Sequence, residues 1–236
     1  MNSLKRVLLR KSMATHRFFL QLLNAVYHLN GVNMGVAERK AREKRKLKQQ
    51  ILDAARELFV REGYESVSMR KIAEKIEYSP TTIYLYFEDK SAVLFALCQE
   101  TFSRLVEANQ KLSQDVSDPL ECLTKGLKGY IRFGLKYPND YKVTFVMHPP
   151  DIHKHMQPKM EDSMGMRAFS FITTLVQACV EEGKFKPVDV ELTSQALWAA
   201  CHGITSLLIV HTRFPWADHQ KLIDQVVDTM IEGLKA

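Results

Sequence analysis

The sequence predicts an all-α protein, and three observations carry that prediction. Apolar residues recur every three or four positions over long stretches, which marks helices with one buried face. Alternating, strand-like patterns are scarce. Glycine and proline are few, 10 and 8 in 236 residues, so long helices run uninterrupted. A hydrophobic fraction of 46% with 25% charged residues is that of a folded chain. Cys98, Cys122, Cys179 and Cys201 lie far apart with no C-x-x-C pair. That spacing argues against a zinc ribbon or disulfide scaffold and fits a reducing, cytoplasmic setting.

Charge divides the chain. Residues 1–33 carry five Lys/Arg and no acid, and residues 34–50 carry seven against two. Residues 51–92 have six against eight, and residues 93–236 fifteen against seventeen. The whole basic excess therefore precedes a near-neutral body, a pattern that suits a polyanionic partner such as nucleic acid or, more plainly, a solvated tail. Residues 1–33 read as an extension or an over-extended start. The apolar run "RFFLQLLNAVYHL" is broken by Gln21, Asn24 and His28, too short and polar to span a bilayer. Met34 then opens "MGVAERKAREKRKLKQQ", a charged lead-in that looks like a natural start.

From Leu47 the pattern tightens. Leu47, Ile51, Ala54, Ala55, Leu58 and Phe59 form one helical stripe, ended by Gly63 at a C-terminal cap position. Met69, Ile72, Ala73 and Ile76 define a second helix capped by Ser68. After a turn over Glu77 to Ser79, a third helix begins with Ser79 as cap and Pro80 at its first position, and runs to about Phe87. A fourth starts near Asp89. The third helix is the odd one: Ile83 and Phe87 can anchor it inward, while Thr81, Thr82, Tyr84 and Tyr86 crowd its outer face with hydroxyls. A helix that enters a DNA major groove needs that division, because hydrogen-bonding groups read base edges and phosphates. Two helices joined by a three-residue turn make a helix-turn-helix over residues 68–87. Lys90, in the first turn of the fourth helix, is placed to join that helix's N-terminus in binding a phosphate.

At these residues the chain resembles the TetR family of bacterial transcriptional regulators. The matching run is "ILDAARELFVREGYESVSMRKIAEKIEYSPTTIYLYFEDKSAVLFAL", Ile51 to Leu97, and "TIYLYFEDKSAVL" meets the family's T-[LIV]-Y-x-[YH]-F-x-x-K-x-x-L pattern at every specified position. The turn departs from the family's usual glycine: it reads Glu77-Tyr78-Ser79, which puts a mildly costly positive φ at Glu77 and leaves Tyr78 to pack on the first helix. The resemblance implies phosphate contacts from Thr82, Tyr84, Tyr86 and Lys90, base contacts from Pro80, Thr81 and their neighbours, and backbone contacts from Ser68 and Arg70. It also implies a basic arm at 34–44, a DNA-binding domain at 45–105 and an effector-binding and dimerisation domain at 106–236. The alternative for each tyrosine is packing between helices.

The C-terminal elements follow from their caps. Asp118-Pro119-x-Glu121 opens a helix that runs to about Lys136, and a short one is expected over Asp140 to Met147. "HPPDIHKHMQP" reads as a loop. Helices over Met160–Glu182, Asp189–Arg213 and His219–Leu234 complete the chain, the last two expected to form a four-helix dimer interface through "SLLIV" and "LIDQVV". "WAACHG", Trp198 to Gly203, resembles the W-x-x-x-H-G motif of WHG-type TetR C-terminal domains. Trp198 and His202 either border an effector pocket or form a buried aromatic–histidine pair, with Gly203 at a tight helix crossing.

Two other classes fit parts of the sequence. His148, His153 and His155 with Asp151 suggest a metal-dependent hydrolase, but no helical H-x-x-x-H, cysteine pair or nucleophile–base set accompanies them. A non-specific DNA coater would rely on the basic arm alone. The reading is a cytoplasmic homodimeric regulator, a repressor of a palindromic operator. It has no cofactor, metal or membrane partner, it is not an enzyme, and an effector is expected to move its fourth helix to release double-stranded DNA.

Overall fold

The computed structural model describes residues 35–147, 149–155 and 163–236, with the side chains of Pro150, Asp151 and His153 left aside. The expectations for residues 1–33 and for His148 and His153 as ligands lie outside what is described. Residues 35–62 are helical (α1). Up to Gln50 this stretch is exposed and basic, with Arg39 paired to Glu43 across one turn.

From Ile51 the chain forms a compact all-helical body. Of the predicted stripe, Ile51, Ala54, Ala55, Leu58 and Phe59 are buried and Leu47 is half-buried; Leu52, outside the stripe, is buried too. Gly63, at φ 81°, ends the helix and donates its N–H to the Phe59 carbonyl at 3.0 Å, a conformation only glycine adopts without strain. α2 spans Met69–Lys75, its cap Ser68 accepting the Lys71 N–H. α3 spans Pro80–Tyr84, capped by Ser79 and shorter than expected. Leu85, Tyr86 and Phe87 continue it as tighter turns, both Tyr86 and Phe87 donating to the Ile83 carbonyl. α4 spans Lys90–Asp115, with Asp89 as its cap.

α5 (Pro119–Lys136) and α6 (Pro138–Phe145) follow; α6 starts and stops two residues earlier than its sequence pattern, because Pro138 occupies the first helical position. The proline-rich segment is not wholly loop: Pro150–His155 winds into a 3-10 helix. α7 (Met164–Glu181), α8 (Val190–Val210) and α9 (His219–Leu234) complete the body. Leu123, Leu127 and Ile131 of α5 share a core cluster with Val176 and Cys179 of α7, Leu197, Ile204 and Leu208 of α8, and Ile223, Val227 and Ile231 of α9. Among the described residues there is no β-strand, only a bridge pairing Phe185 with Lys235. No described helix is long and apolar enough to cross a membrane. All four cysteines are free and buried. Burial pushes the thiols up, to about 11 for Cys98 and Cys179 and about 12 for Cys201.

Candidate DNA-reading surface and effector cavity

The turn before α3 is built as its sequence suggests. Glu77 takes φ 61°, the strained value expected where the family often has glycine. Tyr78, expected to pack on the first helix, is 43% exposed. Ile83 in α3 is fully buried, and Phe87, just past its end, nearly so. With those anchors fixed, the helical period leaves Pro80, Thr81 and Tyr84 exposed and Thr82 and Tyr86 half-buried. Thr82 carries two links to the cap, its N–H to Ser79 Oγ at 3.2 Å and its Oγ1 at 2.9 Å from that same atom. At the start of α2, Ser68 and Arg70 are exposed, with Arg70 held by Glu74 at 2.8 Å.

Lys90 differs from its expected setting. Its ammonium donates to the Tyr64 carbonyl at 2.7 Å and sits 4.0 Å from the centre of the Tyr64 ring, which itself lies tilted against Phe59. An ammonium has two further hydrogens for a phosphate. The first turn of α4 is also already supplied with an anion. Asp89 Oδ1 accepts from the Ala92 N–H and the Ser91 hydroxyl, each at 2.7 Å, and lies 3.1 Å from His155 Nε2. Burial alone would raise that carboxyl, but these hydrogen bonds outweigh it and hold it below the usual carboxylate range.

Behind this surface, α1, α4 and α6 are tied by charge. Asp140, at the start of α6, lies 2.6 Å from Arg56 Nε and 2.8 Å from Arg104. Arg56 also reaches Asp53 at 2.7 Å and Glu100 at 2.9 Å. Sequence reading missed this fork, since its members are spread over nearly ninety positions and share no motif.

Farther along α4 a cavity of about 1220 Å³ opens between α4, α5, α6, α7 and α8. Its walls are aromatic: Phe95, Phe102, Tyr130, Phe145, Phe169, Phe171 and Trp198 all face it. They meet mostly edge to face, Phe102 on Phe145 at 5.5 Å and Phe169 on Trp198 at 6.0 Å. Among the described lining residues there is one carboxyl, that of Glu191, and one imidazole, that of His155, and there is no Lys or Arg. The two WHG-motif residues separate. Trp198 lines the cavity and is 38% exposed, whereas His202 lies behind the wall. His202 Nδ1 is 2.6 Å from the Tyr141 hydroxyl and 3.4 Å from that of Tyr130, with its ring stacked on Tyr141. Burial pushes the Tyr141 phenol up to about 12 and raises Tyr130 as well, so both stay neutral hydrogen donors. A Cβ at Gly203 would meet nothing within 4 Å in this chain, so no neighbouring helix of the protomer crosses tightly there. The described residues hold no cluster of three potential metal ligands.

Residues 51–97 match the model for bacterial regulatory proteins of the tetR family, and residues 123–234 match that for the tetracyclin repressor-like C-terminal domain. The chain belongs to the TetR family. Among its relatives is the fatty acid metabolism regulator protein of Bacillus subtilis, 32% identical over 77 residues, 33% of this chain and 38% of that one. The HTH-type regulator YfiR of Bacillus subtilis is 24% identical over 160 residues, 62% of this chain and 71% of that one. The chain spans 31–46% of the length of several such curated relatives. In fold, this TetR-family protein is similar to FadR from Bacillus subtilis, solved in complex with stearoyl-CoA, at TM-score 0.68 and 20% identity, covering 79% of this chain and 98% of the other. FadR from Bacillus halodurans gives 0.67 and 20%, covering 78% and 94%.

Proposed function

We propose that this protein is a sequence-specific transcriptional repressor that binds a palindromic operator as a homodimer and is released by a small apolar ligand. The observation that carries the reading is α3: two buried anchors hold a helix whose outer face is Pro80, Thr81 and Tyr84, flanked by Thr82, Tyr86, Ser68, Arg70 and Lys90. Such a face has no packing purpose and suits base edges and phosphate oxygens. The basic stretch of α1 and residues 34–44 would add salt-dependent phosphate contacts. Its DNA target assigns it to the cytoplasm.

A short recognition helix reads few base pairs, so two copies are needed about 34 Å apart. α8 supplies the surface for that pairing. Leu192, Ala196, Ala199, Gly203, Leu207 and Val210 fall on one stripe, with Leu192 65%, Leu207 46% and Val210 54% exposed. The open Gly203 then permits close approach of a second α8, and Leu222, Val226 and Met230 of α9 lie partly exposed beside the core.

The cavity supports the ligand. Its aromatic wall and its lack of lysine and arginine among the described lining residues favour an acyl chain or other uncharged apolar body over an anion. The likeness to FadR is one of fold, and the phosphates of an acyl-CoA would have to stay outside this wall.

The test is a gel-shift titration with the DNA flanking the protein's own gene, against scrambled competitor at two salt concentrations. Competitor-resistant binding that drops about tenfold in Tyr84→Phe or Thr81→Ala, each one lost hydrogen bond, is expected. Equal binding to both DNAs, unaffected by these changes and lost on removal of residues 1–46, would identify a non-specific coater instead.

A further inference from the structure

His155 belongs to two structures at once. It lines the cavity, its ring 6.3 Å from that of Phe95, and its Nε2 reaches back to the first turn of α4, 2.9 Å from Ser91 Oγ and 3.1 Å from Asp89 Oδ1. We propose that His155 is the cavity's ligand-sensing residue: an apolar molecule seated against Phe95 displaces the imidazole from Asp89 and Ser91 and loosens the turn that joins the cavity to the DNA-reading helices. The proposal rests on the ligand reading above and names the contact through which that ligand acts.

Proton placement shows why the contact is specific. The Ser91 hydroxyl gives its hydrogen to Asp89 Oδ1, so toward His155 it can only accept. A carboxylate only accepts as well. His155 therefore carries its hydrogen on Nε2 and shares it between two oxygens, a geometry an alanine or a rotated ring cannot supply. Asp89 Oδ1 thus gathers three donors, from Ala92, Ser91 and His155.

The segment so held is short and consequential. Two residues before Asp89 stands Phe87, the second buried anchor of the recognition segment. The next residue, Lys90, fastens the same turn to Tyr64 on the DNA-binding side. His155 thus grips from the cavity and Lys90 from the helix-turn-helix, with residues 89–91 between them. A ligand needs only to move one ring, 19% exposed and placed on a short 3-10 helix, to release one of the two grips. The first N–H groups of a helix have no partner within it, so losing capping support frays that end first.

The test uses the full chain in a Trp216→Phe background, which leaves Trp198 in the cavity as the remaining tryptophan of two. Dodecanol serves as the neutral apolar probe, its binding read by Trp198 fluorescence and its effect by hydrogen exchange of the first α4 turn, Lys90 to Val93. Exchange there is expected to rise about tenfold with dodecanol. His155→Ala should already exchange at that raised rate without dodecanol and respond no further, while His155→Gln, which keeps an N–H at similar reach, should restore both protection and response. A fluorescence change with no change in exchange, or a His155→Ala protein protected like the unaltered one, would overturn the proposal. If dodecanol leaves Trp198 unchanged, the ligand reading of the cavity falls. The His155→Ala and His155→Gln exchange rates without probe then decide the clamp by themselves.

Discussion

Three glycines on α5 turn one chemical change into three outcomes. A methyl at Gly134 would lie 2.9 Å from Tyr141 Cδ2 and 3.2 Å from Cε2, and closer still to the Thr205 methyl. Neither neighbour has room, for both are essentially fully buried. Nor is either free to rotate: the Thr205 hydroxyl donates to the Cys201 carbonyl at 2.6 Å and the Tyr141 hydroxyl is held by His202. Overpacking of this kind costs about 1–3 kcal/mol, and a strained buried hydrogen bond about 1 more. Alanine returns about 1 kcal/mol in helix propensity. The net loss for Gly134→Ala is about 2 kcal/mol, a fall in Tm of about 4–8 °C for a chain of this size. Gly129, on the same helix, has nothing within 4 Å and is exposed, so Gly129→Ala should raise Tm by about 2–4 °C. Gly126 is intermediate: its methyl would meet Phe171 Cε1 at 2.6 Å, but that ring can swing into the cavity. Gly126→Ala should hold Tm within about 2 °C while changing the Trp198 response to apolar probes. Thermal unfolding followed by circular dichroism checks all three. A Gly134→Ala protein at least as stable as Gly129→Ala would refute the packing argument.

Lys184 first, and then the Glu121 N–H, hold the Asp118 carboxyl below its ordinary value, so the stability it gives is present above about pH 4 and lost as pH falls through the lower folded value. Asp118→Asn keeps the cap without the charge. Its Tm deficit should stay constant from pH 7 to about 5 and shrink below about 4. Leu207→Glu places a carboxylate on the exposed stripe of α8. Sedimentation should show a monomer with unchanged circular dichroism, and operator affinity should fall about 100-fold once two half-sites are no longer linked. A stable Leu207→Glu dimer would move the interface elsewhere.

What the sequence disclosed and what it hid divide along a physical line. Caps, turns and helical stripes are local, and they placed α3 by Ser79 and Pro80, α5 by Asp118 and Pro119, and the strained φ at Glu77. Contacts between distant segments leave no such trace. His155 read as a loop histidine or loose metal ligand, because nothing near it in sequence announces Asp89 and Ser91, 66 and 64 positions away. Gly203 read as a tight helix crossing, and a small residue on a helix signals close approach without saying whether the neighbour lies in the same chain or in a second copy. Trp198 and His202 share a helical face, yet one lines the cavity and the other lies behind its wall, a distinction set by Tyr130 and Tyr141 on two other helices.

The burial of all four cysteines leaves this protein with a chemically silent surface. Desolvation keeps the Cys98, Cys179 and Cys201 thiols from forming thiolate at neutral pH, and Cys122 is raised in the same sense. A maleimide or nitroxide reagent added under native conditions will therefore find only a cysteine placed on purpose. Leu85, 76% exposed at the end of α3, offers the site. With one label per chain there, electron-spin distance measurements would test the proposed dimer through the spacing of its two α3 helices, without first stripping the native cysteines from the core.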